Sequence, residues 1–196
     1  MSPGLAFRFV EDAMEKAAVA QLVDDVYGKT YGTRPAIAHA YAVAYRDGNA
    51  VGCLGTDRAD EDGCFPIERL YRLDRKALPA KFAADTTVQF GRLVATEPAV
   101  SPGVVYAGMR HVAACWEARF GLLEHTDPVH RLTARLGLCF LDIPHAPLDL
   151  SRVREADRAY YERHRPKPYL IELGASCRNL WARLPEEIRS ALPGPE

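Results

Sequence analysis

The chain has 196 residues, 48% of them hydrophobic and 26% charged, with a formal net charge of -1. Those values suit one domain with a full core and exclude a disordered chain or a nucleic-acid-coating one. No run of about 18 apolar residues occurs, and the opening "MSPGLAFRFVEDAMEK" lacks a basic region followed by a long apolar one, so neither a membrane span nor export is expected. The cytoplasm is the expected location. The five cysteines (Cys53, Cys64, Cys115, Cys139, Cys177) are scattered without a C-x-x-C pair. They read as reduced, mostly buried thiols rather than a zinc site or a disulfide framework.

In chain order, "LAFRFV" (5–10) alternates as a short strand, and "EDAMEKAAVAQLVDDVYGKTYG" carries apolar residues at helical spacing up to a glycine. "AHAYAVAYRDGNAVGCLGTDRA" predicts a hairpin of strands near 38–46 and 50–58, turning at Asp47-Gly48-Asn49. "DEDGCFPIERLYRLDRKALPAKFAAD" mixes turn residues with helical patches and is expected to be irregular or helical and to lie over the sheet. "TTVQFGRLVATEP" predicts a strand over 86–95, apolar except for Gln89 and Arg92. After a loop from Pro98 to Pro102, residues 104–120 predict a long helix stopped by Gly121. "LLEHT" follows as a strand, then "DPVHRLTARLG" as a helix with Asp127 as N-cap, Pro128 at its first position and Gly137 as C-cap. "LCFLDI" predicts another strand, "SRVREADRAYYERHR" a helix, "KPYLIEL" a last strand, and "CRNLWARLPEEIRSAL" a single, peripherally packed terminal helix. The sum is a mixed α/β sheet with helices on both faces.

That order, with the segment "TDPVHRLTARLGLCFLDI" in which a helix ends at a glycine and runs into a strand, resembles the GNAT acyltransferase superfamily over about residues 7–173. The loop "AVSPGVVYAGM" departs from the usual Q/R-x-x-G-x-G/A phosphate cradle. "QFGRLVA" (89–95) is similar to the "E-x-S-R" strand of acyl-homoserine-lactone synthases and N-acyl amino acid synthases, with Gln89 in place of the acid. "CFPIERLY" and "AYYERHRPKPYLIEL" resemble pieces of the thermostable-haemolysin-like family. The resemblance implies a GNAT-like sheet of about seven strands with a splayed central pair, in a domain spanning 1–175 followed by a C-terminal helical extension over 176–196.

For function, the resemblance implies an N-acyltransferase. It would move a fatty acyl chain from a thioester, on the 4'-phosphopantetheine of an acyl carrier protein or on coenzyme A, to a small-molecule amine such as an amino acid. The thioester is then a co-substrate, and no permanently bound cofactor is implied. Backbone groups of Leu93, Val94 and Ala95 would hold the pantetheine arm as an added strand. Rival readings are a non-catalytic or membrane-active haemolysin-like protein and a coenzyme A-dependent acetyltransferase.

Amine acylation needs a proton acceptor. Glu68 is the first candidate, with His130 and His125 next; His130 matches the histidine of a "P-x-H" piece in N-acyl amino acid synthases. Gln89 orients or hydrogen-bonds, and His125 is a substrate contact. Arg92 offers a planar fork to a substrate carboxylate or forms a plain ion pair with Glu68 or Glu97. Cys115 reads as a buried core thiol, and Tyr160 and Tyr161 as packing residues. The histidines show no metal-binding spacing. Arg152, Arg154, Arg158, Arg163, Arg165 and Lys167 read either as a docking patch for an acidic carrier or as a mixed solvated helix face.

Overall fold

The computed structural model describes residues 4–74, 78, 83–141, 143 and 146–195. Strand β1 (Leu5–Val10) leads into helix α1 (Ala13–Tyr31), whose N-terminus is capped by Asp12 and whose C-terminus is closed by Gly32 at φ 69°. Strands β2 (Ala40–Arg46) and β3 (Asn49–Asp57) form the hairpin that Asp47-Gly48 announces, both residues taking the positive φ such a turn needs. A short helix α2 (Pro66–Leu70) precedes β4 (Thr87–Ala95). Helix α3 (Ser101–Cys115), β5 (Phe120–His125), α4 (Asp127–Arg135), β6 (Cys139–Leu141), α5 (Glu155–His164), β7 (Lys167–Glu172), α6 (Leu173–Trp181) and α7 (Glu186–Ser190) complete the chain.

The seven strands form one sheet in the order β1-β2-β3-β4-β5-β7-β6. All pairs are antiparallel except β4 with β5. One face buries Ala42, Ala44, Leu54, Val88, Phe90 and Leu123 against α3 and α6. The opposite face packs Tyr41, Val43, Cys53 and Val94 against Val19 and Val23 of α1, while Leu122 and Leu170 meet Phe65, Ile67 and Tyr71 around α2. The two faces alternate along each strand as the pleat requires.

Strand β4 breaks that alternation. Val88 and Phe90 point to the α3 side, but Val94, four residues beyond Phe90, points to the α1 side. A one-residue shift of register against β3, between Cys53 and Gly55, accounts for the reversal. The extra residue is Arg92, in the left-handed region at φ 55°, so a β-bulge turns the second half of the strand over. Its guanidinium holds the distortion: Nη1 donates to Asp57 Oδ2 at 2.5 Å and Nε to the Ala36 carbonyl at 2.5 Å. Both side chains of the pair are largely buried, at 12% and 10% exposed. Gly55 makes room for the arginine stem, since a Cβ there would stand 3.1 Å from Arg92 Cδ and 3.0 Å from the Ala38 Cβ.

Several expectations are corrected. The long helix ends at Cys115, because Glu117 takes φ 54° and Gly121 lies inside β5. Asp127 is the first residue of α4 rather than its cap; Thr126 holds the cap position, and Asp127 pairs with Lys167 at 2.9 Å. The single terminal helix is two, divided before Pro185, and neither is peripheral: Leu180, Leu184 and Ile188 belong to the core that α3 closes. Cys115 is exposed at the end of α3, and of the five cysteines only Cys53 and Cys177 are buried. Of the stretch expected to lie over the sheet, residues 75–77 and 79–82 are outside the described residues, as is residue 142 of the strand expected over 138–143.

The buried Asp57–Arg92 pair carries a stability prediction. Asp57→Ala should cost about 3 kcal/mol, because it strands a desolvated guanidinium. The Asp57→Ala/Arg92→Ala double variant should cost clearly less than the sum of the single ones, as a urea-unfolding double-mutant cycle would read.

Candidate active site between the splayed strands

Strands β4 and β5 pair in parallel only from Thr87↔Phe120 to Phe90↔Leu123. Beyond that point β4 runs on to Ala95 paired with β3 alone, and β5 runs on through Glu124 and His125 paired with β7 alone. The two strands part where the bulge turns β4, leaving a gap in the middle of the sheet at the carboxyl ends of parallel strands. That is where open α/β sheets place their ligands.

Two cavities meet at the gap. One, of about 240 Å³, runs from Tyr27, Tyr31 and Tyr160 on the α1 side to Met109, Leu138 and Ile171 on the α3 side, so it passes through the sheet. The other, of about 520 Å³, lies on the α1 and α5 side beneath Pro35 and Ala36 and beside Ile67, Leu70 and Val153. Tyr27, Phe90, Gly91, Arg92, Glu124 and Tyr160 line both.

Glu124 stands at the junction. It follows directly on Leu123, the last residue of β5 to pair with β4, and is half-buried on the walls of both cavities. Tyr161 donates its hydroxyl to Oε2 at 3.2 Å. Desolvation pushes the Glu124 carboxyl up to about 7, with the Asp157 charge adding to the rise and the Tyr161 hydrogen bond opposing it. A carboxyl that changes charge near neutral pH, at the wall of a cavity, is suited to take and return a proton.

The residues singled out in the sequence divide sharply. Arg92 lines both cavities, but it pairs with Asp57 rather than Glu68 or Glu97; Glu97 is instead bound by Arg46 at 2.9 Å. Gln89 lines the larger cavity, where its Oε1 accepts the Ile67 N–H at 2.8 Å and so fixes the start of α2. Leu93, 38% exposed, stands at the wall of the smaller cavity, whereas the Val94 side chain is buried against α1 and that of Ala95 packs on the α3 side. His125 lines the smaller cavity with Nδ1 3.5 Å from the Thr133 hydroxyl. Burial, and to a lesser degree the His130 charge, holds His125 down at about 4, leaving it neutral at physiological pH.

Glu68 and His130 are on neither cavity wall. Glu68 is used locally: Oε2 accepts the Phe65 N–H at 2.8 Å, closing the first turn of α2. His130 stacks on Tyr169 with ring centroids 4.1 Å apart and meets the Phe140 edge at 4.3 Å. Tyr160 and Tyr161 are wall residues of the larger cavity rather than packing alone. Within the basic run, Arg152, Arg154, Arg158 and Lys167 each face an acid, in order Asp149, Asp157, Glu155 and Asp127. That is the mixed, solvated face more than a one-sign patch.

"LLEHT" reads as a strand, and nothing local in it sets Glu124 apart. The available signal was its place at the carboxyl end of a central parallel strand. Among the described residues, no group of three or more His, Cys, Asp or Glu side chains is placed to hold a metal ion.

No family model matches the sequence, and no curated protein matches it either. Solved structures do. The AHL synthase LasI superimposes with a TM-score of 0.58 at 12% identity, over 92% of this chain and 96% of that one. FeeM, an N-acyl amino acid synthase from uncultured soil microbes, gives 0.59 at 10% identity, over 88% and 91%. The chain has the GNAT fold. A putative N-acetyltransferase from Lactobacillus plantarum shares it at a TM-score of 0.52 and 13% identity, over 87% of this chain and 99% of that one. The parted β4–β5 pair, expected from the family resemblance, is thus part of a GNAT sheet with its central gap.

The raised Glu124 carboxyl has a measurable consequence for stability. Its proton affinity is higher folded than unfolded, so the stabilisation is complete below about 4.5 and is lost as pH rises to about 7. Glu124→Gln does not titrate. Relative to wild type it should therefore gain stability between pH 4 and pH 8, by at most roughly 3 kcal/mol, in chemical unfolding at the two pH values. An equal difference at both would show that Glu124 is ionised as easily as an exposed acid.

Proposed function

We propose that the protein is a GNAT-type N-acyltransferase that moves a fatty acyl group from a pantetheine thioester to the amine of a small molecule. The observation that carries this reading is the position of Glu124 at the gap between β4 and β5, where the two cavities meet. The backbone beyond Phe90 on β4, from Gly91 to Ala95, faces no partner strand on the β5 side, and a pantetheine arm with its amides fits such an edge as a strand would.

The smaller cavity suits the acyl tail. On the α3 side its wall is Leu54, Met109, Leu138 and Ile171, an apolar lining that an acetyl group would leave largely unfilled. The larger cavity, with Gln89, Tyr161 and the rim arginines, suits the acceptor. In the reaction the amine nitrogen forms a bond to the thioester carbonyl carbon and the carbon–sulfur bond breaks. Glu124 takes the proton the nitrogen loses, directly or through water, and the thiolate departs with the pantetheine, where it is reprotonated. Tyr161 acts through Glu124 by fixing its carboxylate, and backbone N–H groups near Val94 would polarise the carbonyl oxygen. Arg92 holds the bulge that opens the gap, and its role is positional.

A carrier-protein donor is favoured over coenzyme A by the start of α3. Pro98 and Pro102 flank it, and Pro102 in its first turn removes one of the N–H groups that a pyrophosphate would use. A carboxyl at the meeting of two cavities beside a gap in the sheet favours a group-transfer site over a membrane-active protein. No helix among the described residues is long and apolar enough to cross a membrane.

The activity is tested by incubating the purified protein with octanoyl- and dodecanoyl-acyl carrier protein, or the matching coenzyme A esters, and a panel of amino acids and amines. N-acyl product is expected by mass spectrometry. Product from no donor–amine pair would overturn the reading. With a working pair, kcat/KM should rise with pH through about 7 as Glu124 ionises. Glu124→Gln should lower kcat by about a hundredfold or more and abolish that limb.

Acyl length gives a separate prediction. A Cβ at Gly121 would stand 2.7 Å from Phe90 Cε2 and 3.1 Å from Ile171 Cγ1, so Gly121→Ala must push the Phe90 ring toward the smaller cavity. The preferred chain should shorten by two or more carbons relative to wild type, on the order of a tenfold change in the octanoyl-to-dodecanoyl ratio of kcat/KM, since each buried methylene is worth about 0.8 kcal/mol.

A further inference from the structure

The segment joining α1 to β2 crosses the larger cavity, and Thr33, Pro35 and Ala36 line it from above. Its two ends are held very differently. At the β2 end, the His39 N–H donates to Asp57 Oδ1 at 2.9 Å and the Ala38 N–H to the Tyr41 hydroxyl at 3.0 Å. Arg92, itself bound to Asp57, donates to the Ala36 carbonyl. This end therefore rests on the same buried ion pair that shapes β4.

At the α1 end the ties are few, and one of the two is made by an exposed arginine. The Thr33 hydroxyl donates to Asp157 Oδ1, and Arg154, 57% exposed, donates from Nη2 to the Arg34 carbonyl at 3.0 Å. Asp157 also accepts from Arg154 Nε at 2.6 Å, so all of these contacts converge on one turn of α5. Gly32 at φ 69° supplies a pivot directly before the segment. Tyr31, 40% exposed, lays its ring edge-on to Tyr160 and His164 of α5 at 5.2 and 5.8 Å.

We infer that residues 32–37 form a lid over the acceptor cavity, rooted on Asp57–Arg92 and latched to α5 by Thr33 and Arg154 through Asp157. The latch hangs on one aspartate and one solvent-facing arginine, whereas the root combines two backbone N–H bonds with a buried charge-assisted pair, so the lid opens at the latch and stays anchored at the root. Opening there uncovers the side of the cavity that leads to Glu124, which gives the acceptor a route separate from the gap between β4 and β5. This inference rests on the acceptor assignment made above.

The test is the accessibility of Glu124 in the full-length protein. Wild type, Thr33→Val and Arg154→Ala are treated with a water-soluble carbodiimide and glycinamide, and the Glu124 peptide is followed by mass spectrometry. Each variant removes one latch contact, so Glu124 should be labelled at least tenfold faster in both. Amide exchange at Ala38 and His39, on the root, should stay at the wild-type rate. Unchanged labelling overturns the lid, and so does faster exchange at Ala38 and His39, which would mean that the segment unfolds as a whole. Neither readout depends on turnover. Faster labelling in a protein that acylates no amine would sink the proposed activity and leave the lid standing, and acylation with unchanged labelling would sink the lid alone.

Discussion

The buried pair between Asp57 and Arg92 is the interaction on which the rest of the site depends. A non-glycine residue at φ 55° in the middle of a central strand is unfavourable by itself. The guanidinium makes it tenable by bonding a carboxylate on β3 and a carbonyl of the loop before β2 in one planar fork. With the extra residue held there, every side chain beyond it on β4 changes face, and β4 separates from β5. The gap, the path through the sheet and the anchoring of the loop above it all follow from that single insertion.

The gap explains how a carboxyl comes to stand half-buried among tyrosines. Glu124 stands on a strand whose inner edge has lost its neighbour, so Tyr161 is the hydrogen-bond donor the structure provides for it. Holding such a group costs stability above about pH 7, and nothing in the packing of the sheet requires an acid there. A costly group at the junction of two cavities is better understood by what it does for a ligand than by what it does for the fold. Arg92 and Gln89 are the reverse case: polar residues inside an apolar strand whose bonds hold the backbone, through Asp57 and the start of α2.

The opposite characters of the two cavities follow from the layers they lie in. The smaller cavity lies partly beneath α3, whose Val105 and Met109 pack with the sheet in the main core, so its inner wall is apolar. The larger cavity lies where α1, α2 and α5 only partly cover the sheet. Its walls are a loop, a short helix and the tyrosines of α5, and its rim is charged.

Much of the fold was legible in the residues themselves. Alternation in "LAFRFV" and "AYAVAYR", the Asp47-Gly48 turn and the Gly32 and Gly137 stops are local signals, and each describes backbone that the structure contains. Local signals also misled: the apolar run after Pro102 does not register that Glu117 turns the chain out of α3, and Glu68 suggested chemistry where it closes a helical turn. The kind and order of the elements follow from the residues alone, because propensity and periodicity act within a few residues. The tertiary structure alone decided which side chains share the gap. Arg92 meets Asp57, and Glu124 meets Tyr161, across 35 and 37 residues of chain, and only the folded packing brings these partners together and desolvates the Glu124 carboxyl.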